Sequence, residues 1–234
     1  MKTILLAGGL GTRISEETDT KPKPMVLING KPLLWHLMNT YAKQGHTDFI
    51  IATGYKGEVI HRWVSELEEN WNVKALDTGE NTQTGGRIKK CMEAFPDERF
   101  LATYGDGLGN VNIAQLIKVH ESNPALATLT AVRPPARFGY VKIDGVQVHH
   151  FGEKNQADEG WINGGFFVLD SKVIEYIGAE SEPFETGALP RLANTNQLNA
   201  YKHQGFWQPM DTLREKLDLE KLATLNPMPW LKGL

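Results

Sequence analysis

A turn rich in glycine and a lysine held between prolines are the first residues whose types and spacing could do chemistry. The turn, Gly8-Gly9-Leu10-Gly11-Thr12-Arg13, directly follows the apolar run Thr3 to Ala7. Without Cβ atoms its backbone N–H groups can close on an anion, and Arg13 adds a cation, so the segment reads as a phosphate cradle. It lacks the Gly-Lys-Ser/Thr ending of a P-loop and the third glycine of the dinucleotide fingerprint, which disfavours both of those families. A tight strand-to-helix turn is the bland alternative. Ten residues after Arg13, Lys21-Pro22-Lys23-Pro24-Met25 sets Lys23 between two prolines. Each proline fixes its own φ and pushes its predecessor toward extended backbone, so Lys23 is held stiffly. A solvated lysine has no use for that, whereas one that meets a phosphoryl group benefits from losing its freedom before the reaction.

Two carboxylates complete the candidate set. Asp106 follows the apolar run Arg99 to Tyr104, at the carboxyl edge where open α/β sheets bind ligands. Asp211 follows an apolar-aromatic segment and could join it. Mg²⁺ takes one or two carboxylates and fills its octahedron with water and phosphate oxygens, so such a pair suffices. Asp211-Thr212 could instead cap the last helix, and the two roles can coexist. His149-His150 are adjacent on a strand and point to opposite faces, which disfavours a shared ion. The single cysteine, Cys91, sits in an apolar helix and reads as a small buried hydrophobe.

The elements that must position these residues alternate. Thr3 to Ala7, Asp48 to Thr53, Arg99 to Tyr104 and Ala125 to Val132 have the length and β-branched content of buried parallel strands. Between them, Pro32 to Ala42, Val59 to Leu67 and Ile113 to His120 carry apolar residues at helical spacing. Strand then helix, repeated, predicts a parallel sheet covered on both faces. After Val132 the pattern changes: Gly139 to Ile143 and Val146 to His150 flank Asp144-Gly145, a hairpin signal, so an antiparallel insert follows. Gly165 to Leu169 reads as another strand, with Asp170-Ser171 capping a helix Lys172 to Ile177. The closing helix, Thr212 to Leu225, has leucines on more than one stripe and is expected to pack on more than one side. Trp230 in the tail is expected at a subunit contact, and Trp207 as pocket wall or core.

Composition bounds the function. With 25 Lys plus Arg against 28 Asp plus Glu, a net charge of -3 and a pI near 6.2, the 234-residue chain has no positive field to drive nucleic-acid binding. One cysteine forms neither an internal disulfide nor an all-cysteine zinc site, which fits a reducing cytoplasm. No window approaches the length of an uncharged membrane span, and the N-terminal apolar run ends at Gly8-Gly9 as a first strand would. No linker interrupts the chain, so one domain over residues 1–234 is expected.

The G-G-x-G-T-R and P-K-P-M motifs, at this spacing and at the N-terminus, resemble the signature of the sugar-1-phosphate nucleotidylyltransferases. Thr84-Gly85-Gly86-Arg87, Tyr104-Gly105-Asp106-Gly107, Phe138-Gly139, Glu153-Lys154, Ile162-Asn163-Gly164-Gly165-Phe166-Phe167 and Gly205-Phe206-Trp207-Gln208-Pro209-Met210-Asp211-Thr212 narrow the resemblance to the glucose-1-phosphate cytidylyltransferases. It spans nearly the whole chain. The fold it implies is α/β and Rossmann-like, of the GT-A-like kind: a mixed, mostly parallel sheet flanked by helices, with a smaller antiparallel insert. About 1–132 would be the nucleotide-binding half, and about 133–234 the sugar-phosphate half with the C-terminal helix. The implied reaction turns CTP and α-D-glucose 1-phosphate into CDP-glucose and pyrophosphate with Mg²⁺, feeding bacterial deoxysugar synthesis; a homo-oligomer is allowed.

The resemblance also implies roles, residue by residue. Leu6, Gly8, Gly9, Gly11 and Thr12 would line the nucleotide, and Arg13 and Lys23 would meet its phosphates. Thr84, Gly85, Gly86 and Arg87 would lie by base and ribose, a solvated first-turn arginine being the alternative for Arg87. Lys154 would grip the sugar phosphate, with Gly139, Tyr140, Glu153 and Asn163 toward the sugar. Asp106 and Asp211 would hold the metal, Asp106 also facing the nucleotide. Arg13, Lys23, Asp106, Lys154 and Asp211 together form the implied catalytic set, which argues against a noncatalytic nucleotide-binding module. Three departures from the family pattern stand out. Asn155 replaces a usual proline, a long family insertion is cut down between Tyr55 and Thr78, and Pro183 to Leu189 differs from the usual Glu-x-Glu-Pro-Leu. They leave open the same chemistry with UTP, dTTP or GTP, or with another phosphorylated substrate.

Overall fold

The structure, a computed structural model, describes residues 1–11, 14–97, 99–134, 140–152 and 160–234. Its centre is the strand Lys2–Leu6. Ile4 and Leu5 are both fully buried, so the run is covered on both faces, as an uninterrupted apolar strand requires. Parallel neighbours are Asp48–Thr53 on one side and Arg99–Tyr104 on the other, and Asn72–Asp77 adds a parallel edge beyond Asp48–Thr53.

The other half of the sheet is mixed, as the fold implied by the resemblance has it, although the strand-helix alternation alone reads as parallel. Phe167–Asp170 lies antiparallel between Arg99–Tyr104 and Ala127–Val132, where a parallel neighbour was expected. Ala127–Val132 then pairs with Ile162–Asn163 antiparallel and Leu198–Lys202 parallel, giving an eight-stranded mixed sheet. The physical reason is plain: Phe167, Val168 and Leu169 are fully buried, and a strand buried on both faces has the same composition whichever way its neighbours run.

Two apolar layers flank this sheet. Helix Leu33–Ala42 supplies Leu34, Leu37, Met38 and Tyr41 to one, together with Leu116 and Leu219. Helix Thr84–Ala94 supplies Ile88, Cys91 and Met92 to the other, together with Phe184 and Leu192. Burial pushes the Cys91 thiol up to about 12, so it packs as a hydrophobe and carries no thiolate.

Several local expectations change. Trp230 is fully buried, edge-on to His36 and near Phe206, so it belongs to the core and not to a subunit contact. Asp170 does not cap: its carboxylate meets Arg99 and His120, and Ser171–Tyr176 is a 3-10 turn. The closing helix, Leu213–Ala223, packs by one side through Leu219 and Leu222, while Leu213 and Leu217 are exposed, because it lies at the periphery with solvent on the other side. The small hairpin pairs Tyr140–Asp144 with Gln147–Gly152. Its turn falls one residue later than expected, with Gly145 at φ 58° supplying the left-handed backbone.

Candidate active site

The glycine turn leaves the carboxyl end of the central strand and forms one wall of a cleft of about 440 Å³. Leu6, Gly8, Gly9, Leu10 and Gly11 line that wall, with Gly11 in the left-handed region at φ 64°. The opposite side comes from Lys23, Pro24, the segment Glu80 to Thr84, Arg87, Tyr104, Gly105, Asp106 and Asp211. Ends of three parallel strands thus converge on one cleft, the place where an open α/β sheet presents backbone N–H groups and loops to a ligand.

Lys23 is the hub of the charged end. Pro22 is extended and Lys23–Met25 forms a 3-10 turn with Pro24 inside it, so the lysine backbone is set by its neighbours. The residue is 8% exposed, and its Nζ lies 3.0 Å from Asp106 Oδ2 and 2.7 Å from Asp211 Oδ1. Burial by itself would lower the lysine pKa; Asp106 and Asp211 more than offset this and hold it above its ordinary value. Lys23 is therefore an ammonium at neutral pH.

The two aspartates, far apart in the chain, are joined by backbone. Gly107–Gly109 pairs antiparallel with Trp207–Pro209, and Met210 N donates to Asp106 O at 2.8 Å. A Cβ at Gly105 would lie 2.5 Å from Leu6 O, so only glycine allows the Asp106 loop to pack on the central strand. Beyond Asp211, Thr212 and Glu215 form a capping box at the start of the last helix, worth about 1 kcal/mol for a hydroxyl cap of this kind. The capping alternative for Asp211 thus goes to Thr212, and the Asp211 carboxylate reaches Lys23 instead.

This donor set suits a hard divalent cation. Both side chains offer oxygen, and a positive charge, the Lys23 ammonium, already sits between them. No group of three or more His, Cys, Asp or Glu forms a metal cluster among the described residues. Two carboxylates with the remaining positions left to water and phosphate oxygens is the pattern expected of Mg²⁺.

The Thr84-Gly85-Gly86-Arg87 motif is built differently from the sequence expectation. Thr84 and Arg87 line the cleft, but Gly85 and Gly86 face the segment behind it. A Cβ at Gly85 would lie 2.8 Å from Glu182 O, and one at Gly86 2.7 Å from Glu180 O; glycine is needed there for backbone packing. Arg87, 4% exposed, is bonded through Nη1 to Thr53 O at 2.8 Å and Thr78 Oγ1 at 2.6 Å. Its Nη2 donates to Gly8 O at 2.9 Å and Glu80 O at 3.2 Å. It is neither solvated nor simply presented to a ligand: it ties the glycine turn to the ends of two neighbouring strands. A side chain at Gly8 or Gly54 would overlap the guanidinium, which explains both glycines.

Asn163 lies just behind the cleft, its Nδ2 donating to the hydroxyl of Tyr104 at 3.0 Å. Thr12, Arg13, Gly139, Glu153 and Lys154 lie outside the described residues, and of Tyr140 only the backbone, in Tyr140–Asp144, is described. Sequence reasoning missed Pro24, the polar run Glu80-Asn81-Thr82-Gln83 and Tyr104 as cleft residues. Their signal was position: each lies just past or at the end of a parallel strand or beside the lysine turn.

The family model "Nucleotidyl transferase" matches residues 2–218. A glucose-1-phosphate cytidylyltransferase of Salmonella typhi is 46% identical, with 98% of each chain covered. A probable glucose-1-phosphate cytidylyltransferase of Bacillus subtilis is 38% identical, covering 98% of this chain and 99% of its own. Among solved structures, HddC from Yersinia pseudotuberculosis complexed with GMP-PN superposes with a TM-score of 0.73 at 27% identity, covering 94% of this chain and 98% of that one.

Proposed function

The chain belongs to the nucleotidyl transferase family, and from that premise we propose that it is a cytidylyltransferase making CDP-glucose from CTP and α-D-glucose 1-phosphate. An oxygen of the sugar phosphate attacks the α-phosphorus of CTP, the α–β P–O bond breaks, and pyrophosphate leaves with the electron pair. The nucleophile is already ionised at neutral pH, so no general base is required. Alignment and charge neutralisation carry the catalysis.

The observation that carries this reading is the Lys23 ammonium, fixed between Asp106 and Asp211 at the mouth of the glycine turn. Gly8, Gly9, Gly11 and Thr12, with Leu6 beneath, would cradle the nucleotide, and Arg13 and Lys23 its phosphates. Asp106 and Asp211 would hold a Mg²⁺, which when bound offsets phosphate charge. Lys154 would receive the sugar phosphate, with Gly139, Tyr140, Glu153 and Asn163 around the sugar. Residues 1–132 thus serve the nucleotide and 133–234 the sugar phosphate, in one domain that works in the cytoplasm and is free to form a homo-oligomer. No described helix is long and apolar enough to cross a membrane. The test is a matrix of nucleoside triphosphates and sugar 1-phosphates with Mg²⁺, read as pyrophosphate release. CTP with glucose 1-phosphate should give the highest kcat/KM; a higher value with UTP, dTTP or GTP would overturn the base assignment.

A further inference from the structure

Lys56 holds a backbone conformation that glycine or asparagine would fill with less strain. It ends the turn after strand Asp48–Thr53 at φ 50° and ψ 35°, in the left-handed region. That turn is tight and lies against the glycine turn: Gly57 N donates to Gly54 O at 2.9 Å, and Tyr55 N donates to Gly8 O at 3.3 Å. The half-buried Lys56 side chain passes the Tyr55 ring, its ammonium 4.8 Å from the ring centre, and donates to Thr18 O at 2.9 Å and to Asp19 O. One tight turn thus grips the glycine turn at its first residue and the chain beyond it at its far end.

What Lys56 reaches is the short helix Ser15–Thr18, which lies between the glycine turn and the lysine turn. Thr18 is buried, with its hydroxyl 3.2 Å from Gly11 O and 3.1 Å from Ile14 O. A Cβ at Gly11 would lie 3.1 Å from Lys23 Cβ and 3.2 Å from Thr18 Cγ2, so Gly11 is packed between this helix and Lys23. Glu17 supplies a second fastening: its Oε1 accepts from Lys216 Nζ at 2.5 Å, on the helix Leu213–Ala223 that begins just beyond Asp211. Lys56, Glu17 and Lys216 do not line the cleft, so they can act on a ligand only through the segment they hold.

We propose that Lys56 is a positioning residue for the nucleotide: its ammonium, together with the Glu17–Lys216 pair, closes the segment Ile14 to Lys21 onto the glycine turn before the triphosphate arrives. This rests on the reading that the glycine turn cradles CTP. A turn with three glycines has much conformational freedom to lose, and a triphosphate that must itself order the turn binds more weakly in proportion to the closed fraction. Fastening the segment from two sides supplies that order in advance, from groups the ligand does not touch. The strain at Lys56 offsets part of the gain, and it marks the side chain, and not the backbone, as what the position serves.

Lys56→Gly separates the two, because it removes the ammonium and relieves the left-handed strain together. Strain relief and the greater freedom of the unfolded chain oppose each other, so Tm should stay close to that of the unmodified protein. Kd for CTP by calorimetry and KM for CTP should both rise about 10-fold, the size of a lost hydrogen bond from a charged donor. Because bound CTP restores the closed segment, kcat and KM for glucose 1-phosphate should change less than about 3-fold. Lys56→Asn, which also suits this backbone, should give the same split. In the free protein, Lys56→Gly should speed amide hydrogen exchange across Ile14 to Lys21, and saturating CTP should abolish the difference. Glu17→Gln, which loosens the other fastening, should raise the two CTP constants about 3-fold. An unchanged CTP affinity in Lys56→Gly, whatever its Tm, would overturn the proposal. So would an equal rise in KM for glucose 1-phosphate, or exchange across Ile14 to Lys21 that matches the unmodified protein. If the unmodified protein prefers another nucleoside triphosphate to CTP, the base assignment fails, and these ratios are read with that triphosphate.

Discussion

Lys23 and Arg87 are both cations buried within a few per cent of completely, both touch the glycine turn's cleft, and their environments push them in opposite directions. Lys23 faces two carboxylates, which hold its pKa up against burial; Arg87 faces neutral carbonyl and hydroxyl oxygens, and burial lowers its pKa. The partners tell the roles apart. A cation paired with movable, partly exposed carboxylates can exchange those partners for phosphate oxygens. A guanidinium whose Nη atoms are spent on Thr53 O, Thr78 Oγ1, Gly8 O and Glu80 O holds loops in place, and its fork suits that task as an ammonium would not. One end of the cleft is built for chemistry and the other for rigidity.

The sharpest way to break this contrast is at Lys23. Lys23→Ala and Lys23→Arg should each lower kcat by at least about 10²-fold, as when one transition-state donor is removed, because the longer, forked guanidinium does not reproduce a compact charge at this spot. CTP affinity by calorimetry should fall less, since the glycine-turn N–H groups remain. If Lys23→Ala weakens CTP binding as much as it lowers kcat/KM, with kcat unchanged, then Lys23 is a ground-state anchor. Asp106→Asn and Asp211→Asn, nearly isosteric, belong to the same end. Each should lose most activity, on the order of 10²-fold, while Tm stays close to that of the unmodified protein. Normal turnover at saturating Mg²⁺ in either variant would take that residue out of the metal site.

Arg87 should give the converse pattern. Arg87→Ala strips donors from three buried acceptors and a part-buried one and opens a cavity, for a cost of about 3 kcal/mol and a Tm lowered on the order of 10 °C. Its kcat should change far less than in Lys23→Ala. Arg87→Lys should fare little better, since one ammonium cannot span the four oxygens. Gly8→Ala should imitate it by driving a methyl into the guanidinium, yet cost almost nothing in the Arg87→Ala background, where that space is free. A Tm for Arg87→Ala equal to that of the unmodified protein would refute the bracing role.

The same contrast explains what the amino-acid sequence reveals and what it hides. The strand-turn-lysine order at the N-terminus is visible because a buried parallel strand is a continuous apolar run, and glycine and proline restrict backbone locally. Asp106 is visible because it ends such a strand. Arg87 is not, because its acceptors are mostly backbone carbonyls from three separate stretches of chain, which carry no side-chain signature. Lys56 is hidden for a related reason: it meets the Thr18 carbonyl across 38 positions of chain. The antiparallel insertion of Phe167–Asp170 is hidden too, since direction leaves no mark on a strand buried on both faces.

The smallest expected effect concerns stability against pH and salt. Lys23 has a folded pKa above the unfolded lysine value of about 10.4. A cation of that kind contributes stability that is fully present below the unfolded pKa and is lost as pH rises through the folded one. Lys23→Met should therefore show a Tm deficit that is constant from about pH 7 to 10 and shrinks only above that. The deficit itself should be small, because the Asp106 side chain is 42% exposed and the Asp211 side chain 24%, which leaves their attraction to Lys23 open to solvent screening. Raising salt from about 0.05 to 0.5 M should reduce it further, whereas the larger deficit of Arg87→Ala, made of bonds to neutral oxygens, should stay the same. Differential scanning calorimetry on the two variants and the unmodified protein separates these cases. If salt narrows both deficits alike, Arg87 is held chiefly by charge, and the division between a reactive end and a rigid end of the cleft does not stand.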